Sequence, residues 1–278
     1  PISWDEALDT IAEKIRGLLQ EERHDEVMYH VGRPGHEGSM ERVLQAWGVD
    51  GHNSHTTVCS ASARCGYQLT WGYDRPAPDH ENAQLILLIS AHLESGHYFN
   101  PHAQRIIEAK QRGARIVVLD PRLSNTAAKA DLWLATRPGT EGAVLLAVLR
   151  QLIVERKIDL EFVENWIDWR GYMQELHPSD SPTLTRFLER FAEHLEEWTP
   201  EMAEELSGIE AGSIQTLVAE IERAGPRMAC HIWRSAASGN LGGWQIARSL
   251  ALLTAFTGAL GQEGGTSPAG WNKLKPAF

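Results

Sequence analysis

The chain has 278 residues, enough for one large or two ordinary domains, and 42% of them are hydrophobic, which suffices for buried cores. Its formal net charge of -11, with no basic patch, disfavours nucleic acid as a partner. No apolar run reaches the roughly 18 residues that span a bilayer, and residues 1–20 lack the pattern of a signal peptide, so we expect no membrane span and read no compartment from these residues.

The first predicted element is a helix that begins within the first few residues of the chain. Ser3 stands as its N-cap and Glu6 at the capping-box position. A strand over 26–32, a glycine-rich loop and a helix from about Met40 to Trp47 follow. The first residues already carry the pattern of a helix start, and the final segment, 267–278, resembles a loop. We therefore expect the chain to be a piece of a larger protein.

Strands and helices then alternate along the chain. Apolar runs of strand length predict strands at 83–90, 114–120, 131–136 and 226–233. Amphipathic runs of helix length predict helices at 101–113, at 142–157 and through most of 160–224. This alternation predicts an α/β fold, a Rossmann-like parallel sheet with helices on both faces.

The loops after these strands are the candidate ligand site, because ligands of such sheets bind beyond the carboxyl ends of the strands. In these loops Asp120 and Glu141 can accept paired N–H donors from a base or sugar, and Thr140 and Ser124 can contact phosphate. The chain has neither GxGxxG after a strand nor GxxxxGK[ST], so we expect a nucleotide held in some other way.

The three cysteines, Cys59, Cys65 and Cys230, match neither a disulfide framework nor a complete zinc or iron–sulfur set. A small buried core residue is the ordinary interpretation of a lone cysteine. We keep it for Cys65, in a predicted helix, and for Cys230, inside a predicted strand.

Seven segments in order resemble the molybdopterin oxidoreductases of the dimethyl sulfoxide reductase superfamily: "ISWDEAL", "NSHTTVCSAS", "VVLDPRLSNTA", "AD", "RPGTEGAVL", "FVENW" and "LTAFTGALGQEGG". The resemblance covers nearly the whole chain. It implies a bis(molybdopterin guanine dinucleotide) cofactor with molybdenum or tungsten. It also implies a [4Fe-4S] cluster in a missing N-terminal segment, and missing C-terminal parts, so we expect the isolated chain to be inactive and prone to association.

The resemblance also implies a domain layout. Residues 1–54 would begin a split α/β domain, 55–255 would form an inserted Rossmann-like domain that binds a pterin nucleotide, and 256–278 would return to the split domain.

Site residues follow from the same resemblance. Cys59 matches the metal ligand, which a soft thiolate suits chemically. Loop residues match the cofactor-binding positions: Ser90, Ala91, His92, Leu93, Glu94, Asp120, Pro121, Arg122, Gly139, Thr140 and Glu141. Glu141 stands where most members have Asp. We further expect Gly239, Gly242 and Gly243 to approach the cofactor, since glycines let backbone amides come close, and His55 and His92 to assist proton transfer.

The implied activity is two-electron or oxygen-atom transfer on a small substrate, of the polysulfide, thiosulfate or arsenic oxyanion type, with an iron–sulfur subunit as electron-transfer partner. Formate is disfavoured, because Ser60 follows Cys59 where formate-oxidising members place a histidine. Alternatives are a non-redox hydratase with the same cofactor, such as acetylene hydratase, and a metal-free scaffold like the large iron–sulfur subunit of respiratory complex I. A pterin-free nucleotide enzyme would need a phosphate motif that is absent.

Overall fold

The fold is described from a computed structural model, which covers residues 1–31, 37–49, 51–93, 100–238 and 241–269. The chain divides into two compact units, residues 1–61 and 62–278. The predicted layout of 1–54, 55–255 and 256–278 stays a prediction.

The first unit combines helices with a small parallel sheet. Ser3 Oγ accepts the N–H of Glu6 at 3.2 Å, which confirms the predicted cap of the first helix. The strand and the second helix were predicted, with slightly different ends, whereas the polar strand β2 was not. In chain order the elements are α1 (Trp4–Gln20), a short 3-10 helix (His24–Glu26), β1 (Met28–Val31), α2 (Glu37–Trp47), β2 (Gly51–Ser54), which pairs parallel to β1, and α3 (His55–Cys59).

The second unit is built on a four-stranded parallel sheet. Its strands are β4 (Leu85–Ile89), β5 (Arg115–Leu119), β6 (Leu132–Leu134) and β7 (Met228–Ile232), in the spatial order β6-β5-β4-β7. A separate antiparallel pair joins β3 (Arg75–Pro78) to β8 (Thr266–Ala269). The predicted parallel sheet is confirmed, and the β3–β8 pair is an addition that the sequence did not indicate.

The helices connect and cover these strands. They are α4 (Ala61–Trp71), which begins at the boundary between the units, α5 (Asn100–Gln111), α6 (Glu141–Val154), α7 (Leu160–Trp166), α8 (Trp169–Leu176), α9 (Leu184–His194), α10 (Pro200–Ser207), α11 (Ala211–Ala224), α12 (Arg234–Ser238) and α13 (Gly243–Phe256). Among the described residues, no helix combines the length and the apolar character that crossing a bilayer requires.

Strand β4 separates two hydrophobic cores. Leu85, Leu87 and Ile89 face one core, which holds the buried sides of α6, α11 and α13. Ile86 and Leu88 face the other core, to which α5 contributes Ile106. A strand that is buried on both faces has no polar side to present, which explains the uninterrupted apolar run LILLI.

Some sequence predictions needed correction. Cys230 is buried in β7, as expected, but Cys65 is exposed, because α4 turns the next two residues, Gly66 and Tyr67, inward instead. Helix α6 begins at Glu141 rather than after it. The polar segment after β7, for which no element was predicted, contains the short helix α12. Ile246, Leu250, Leu253 and Phe256 recur at helical spacing in α13, and all four are buried in the core.

Helices α4 and α13 approach closely at Gly66. A Cβ built on Gly66 would lie 2.2 Å from the carbonyl oxygen of Trp244 and 2.8 Å from the backbone nitrogen of Arg248. These are backbone atoms, which cannot move aside as a flexible side chain can. Glycine is therefore required by the packing of these two helices.

We predict that Gly66→Ala lowers the free energy of unfolding by about 2 kcal/mol or more, because overpacking at this contact forces the helices apart. Gly212→Ala in α11 is the matched control: its Cβ would meet nothing within 4 Å, so it should stabilise the helix by up to about 1 kcal/mol. Urea unfolding of the three proteins measures both effects. An unfolding midpoint of Gly66→Ala at or above that of the wild type would contradict the close approach.

Three histidines from distant segments form a cluster beside the sheet. The ring centroid of His80 lies 5.5 Å from that of His102 on α5 and 5.8 Å from that of His231 on β7. His80 is only 2% exposed. Burial, followed by the charges that His231 and His102 would carry, lowers the pKa of His80 to about 3. Burial, followed by the charge of Arg105, also lowers the pKa of His102.

This cluster predicts acid sensitivity. Because the folded pKa of His80, about 3, lies below its ordinary value of 6.5, the unfolded chain binds the extra proton first as the pH falls. Stability is therefore lost between pH 6.5 and about 3, by up to about 1.4 kcal/mol per pH unit from this residue.

We predict that His80→Leu flattens the dependence of unfolding free energy on pH within that window, whereas His194→Gln, at an exposed position of α9, leaves it as in the wild type. Urea unfolding at a series of pH values between 4 and 7 measures the slopes. Identical slopes for His80→Leu and the wild type would show that His80 is not held neutral.

Candidate functional site

The loops after β4, β5 and β6 share one edge of the sheet. These strands are adjacent and parallel, so the segments that begin at Ser90, Asp120 and Ala135 leave the sheet on the same side. This is the edge at which sheets of this kind bind ligands.

The first loop turns sharply as it leaves β4. Ser90 has φ of 49°, in the left-handed region that residues other than glycine rarely adopt, and its N–H donates to Leu119 O at 2.8 Å. Leu93 is buried, and its N–H donates to the hydroxyl of Thr126 at 3.1 Å. Ala91 is also buried. The loop backbone is thus fixed to the segment that follows β5.

The second loop links an acidic and a basic side chain. Asp120 Oδ1 accepts the N–H of Arg122 at 2.8 Å, and the indole of Trp133 donates to Asp120 O at 2.8 Å. The guanidinium of Arg122 contacts Nε2 of His92, which acts as acceptor because a guanidinium has only donors. Pro121, between the acid and the base, is exposed. The first two loops are therefore joined by side chains as well as by backbone.

The third loop is closed by its own hydrogen bonds. Gly139, at φ of 88°, donates its N–H to Oε2 of Glu141 at 2.9 Å. The hydroxyl of Thr140 donates to Arg137 O at 2.7 Å and lies 3.0 Å from the hydroxyl of Thr136. The Thr140 hydroxyl is thus engaged within the loop, and Glu141 is 1% exposed.

The carboxylate of Asp120 in the second loop acts electrostatically on that of Glu141 in the third. Burial raises the pKa of Glu141, the N–H of Gly139 opposes that effect, and the negative charge of Asp120 raises the pKa further. Carboxylates at this position accept N–H groups, and the nearby guanidinium of Arg122 binds anions. These acceptors and this cation suit a ligand that offers N–H donors and carries negative charge.

The glycines after β7 lie at the start of α13. Gly242 is the N-cap of this helix and Gly243 its first residue. A Cβ on Gly243 would lie 2.0 Å from the carbonyl oxygen of Ala237, so glycine is required here by the packing of α12 on α13. Gly239 and the loop residue Glu94 lie outside the described residues. The approach of these glycines to a cofactor stays a prediction.

The candidate metal ligand belongs to the first unit. Cys59 is the last residue of α3 and His55 the first, so both project from the same face of this short helix, and both are half-buried. The helix that the residues after Cys59 indicate is present, since α4 begins two residues later; the short helix α3, which Cys59 ends, was not predicted. Across the described ranges, no three His, Cys, Asp or Glu side chains are arranged to hold a metal ion.

Sequence reasoning missed the residues that hold the loops in place. Thr126, Thr136 and Arg137 make the hydrogen bonds that fix Leu93 and Thr140. Arg137 directly follows the predicted strand 131–136, which was a signal that it lies near the site. The partner of Thr126 could not be read from the sequence, because its bond to Leu93 joins two separate loops.

Comparison with known proteins places the chain in a family. The sequence pattern of the family described as molybdopterin oxidoreductase matches residues 1–273. The chain is 30% identical to the probable dimethyl sulfoxide reductase chain YnfF of Escherichia coli (strain K12), over 96% of this chain and 34% of that protein. It is 29% identical to the arsenate respiratory reductase molybdopterin-containing subunit ArrA of Shewanella sp. (strain ANA-3), over 96% of this chain and 32% of that protein.

A solved structure is similar as well. Acetylene hydratase from Pelobacter acetylenicus superposes with a TM-score of 0.74 at 25% identity, over 95% of this chain and 34% of that one. The chain spans about a third of the length of these relatives. Since the family pattern extends from residue 1 to residue 273, the chain belongs to the molybdopterin oxidoreductase family.

Proposed function

We propose that the chain is the nucleotide-binding portion of the catalytic subunit of a molybdenum or tungsten oxidoreductase. Family membership implies a molybdenum–pterin cofactor. Its bis(guanine dinucleotide) form and a [4Fe-4S] cluster in another segment are part of the proposal. The observation that carries it is the set of side chains at one sheet edge, the carboxylates of Asp120 and Glu141 with the guanidinium of Arg122 nearby.

Each loop would contribute a distinct contact. Glu141 and Asp120 would accept N–H or O–H groups of the base and ribose, and Arg122 would pair with phosphate. His92, through its contact with Arg122, would orient that guanidinium. The loop that begins at Ser90 would lie along the nucleotide. These contacts would bind and orient the nucleotide part of the cofactor.

The proposed reactive residues, Cys59 and His55, belong to the first unit. The thiolate of Cys59 would hold the metal, because a soft sulfur ligand suits a metal whose other ligands are sulfurs. His55, on the same face of α3, would hold or move a proton beside that ligand. The metal–pterin group, when bound, supplies the two-electron chemistry.

The proposed substrate is a small sulfur or arsenic compound, and the proposed partner is an iron–sulfur electron-transfer subunit. The relatives' names support this class, as they include dimethyl sulfoxide reductase, arsenate respiratory reductase and sulfite dehydrogenase. Formate is not proposed, since Ser60 follows Cys59. The structural similarity to acetylene hydratase favours one second candidate, a non-redox hydratase with the same cofactor.

The experiment that tests this function assays the protein as expressed from its gene. Turnover with reduced or oxidised viologen dyes and polysulfide, thiosulfate, arsenate, sulfite or nitrate supports the oxidoreductase. Hydration of acetylene without dye turnover supports the hydratase. A purified protein that contains neither molybdenum nor tungsten would leave only a metal-free scaffold.

We predict that Cys59→Ala abolishes turnover and removes one sulfur ligand from the metal, as seen by X-ray absorption spectroscopy, while the pterin is retained through the three loops. Cys65→Ala is the matched control, since Cys65 is exposed on α4 and has no assigned role. An unchanged metal spectrum in Cys59→Ala would refute the assignment.

We predict that Glu141→Gln weakens binding of guanosine monophosphate to the chain by tenfold or more, because an amide offers only one acceptor oxygen and adds a donor. The raised pKa of Glu141 adds a pH signature. Because the pKa of Glu141 lies above the ordinary glutamate value of 4.5, wild-type affinity should begin to fall at a higher pH than the protonation of an ordinary glutamate would cause. Isothermal titration calorimetry measures both, with Glu161→Gln on the exposed side of α7 as control. Equal affinities of Glu141→Gln and wild type would exclude the contact.

A further inference from the structure

The guanidinium of Arg137 is bound to the end of a helix. Its Nη1 donates to Glu205 O at 2.7 Å and to Leu206 O at 3.2 Å, and its backbone N–H donates to Ser207 O at 3.0 Å. The last carbonyls of a helix have no partners within it and form the negative end of its dipole, so a cation is favoured there. Arg137 therefore fastens the start of the third loop to the carboxyl end of α10.

Helix α10 is a firm anchor for this contact. The hydroxyl of Thr199 accepts the N–H of Met202 at 3.2 Å at its start, and Gly208 ends it in the left-handed conformation, φ 78°. Ser207, in its last turn, is fully buried. A Cβ on Gly208 would lie 3.6 Å from Nε of Arg137, so the guanidinium occupies the space beside this glycine.

Arg137 in turn holds the loop that carries Glu141. Its carbonyl oxygen accepts both the N–H of Thr140, at 3.2 Å, and the hydroxyl of Thr140, at 2.7 Å. Gly139 then donates its N–H to the carboxylate of Glu141 at 2.9 Å. Hydrogen bonds, together with the peptide bond between Gly139 and Thr140, thus connect the end of α10 to the buried carboxylate.

We propose that Arg137 is a positioning residue for base recognition, which sets the place of the Glu141 carboxylate through its bonds to α10. The proposal rests on the proposed function, in which Glu141 accepts the N–H donors of guanine. Arg137 does not itself need to touch the nucleotide, because Nη1 and the backbone N–H already donate to carbonyls of α10.

The test compares guanosine and inosine monophosphates, since inosine monophosphate lacks only the 2-amino donor of guanine. Calorimetric titration of the wild-type chain should give at least a tenfold preference for the guanine nucleotide, the effect of one hydrogen bond to a charged acceptor. In Arg137→Gln the preference should fall below threefold. Arg137→Lys, which keeps a cation at the helix end, should recover part of it. Arg223→Gln, which removes the same charge from α11, should retain the full preference.

The outcomes separate the two claims. A wild-type chain without preference for the guanine nucleotide overturns the proposed function, and this inference with it. A tenfold preference that survives in Arg137→Gln overturns the inference alone, as does an equal loss of affinity for both nucleotides, which a merely structural role would give. If Arg137→Gln does not fold, Arg137→Lys decides, since a full preference there overturns the inference and a reduced one supports it.

Discussion

The parallel sheet of the second unit must be covered on both faces, and the rest of that unit follows from this requirement. Because β4 exposes no polar face, helices pack on both sides of it, and the side chains of this unit that are proposed to bind the nucleotide lie beyond the strand ends. Asp120, Arg122 and Glu141 are found there. The same arrangement aligns loops from segments that are far apart in the chain, so a ligand at this edge meets three of them together.

Glutamate at position 141 illustrates how the loops balance burial against charge. A carboxylate that is almost inaccessible to water is costly unless donors surround it. Here the backbone N–H groups of Glu141 itself and of Gly139 already face it, and Asp120 adds an opposing negative charge. The site therefore holds an acid whose charged form gains from further donors. A base with adjacent N–H groups supplies such donors, which links the electrostatics of the third loop to the class of ligand proposed for it.

Much of the fold could be predicted from the sequence, because its signals are local. The run LILLI and the amphipathic pattern of α13 each define an element by themselves. The short strands β2, β3 and β8 could not be predicted, since they are polar or contain proline and depend on pairing with distant partners. Among the site residues, the acids were found from motifs. The bonds of Arg137 to α10 span 68 and 69 residues, and no local pattern encodes them.

Cys65 and Cys230 occupy environments of different chemical reactivity. Burial raises the pKa of the Cys230 thiol to about 12, so this sulfur stays protonated and does not react with alkylating agents or peroxide while the chain is folded. Cys65 is exposed and accessible to the same reagents. A thiol-reactive label added to the native protein therefore reaches α4 and spares the sheet, and Cys230 becomes labelled only when β7 leaves its neighbours. The rate of that second labelling reports the opening of the parallel sheet itself.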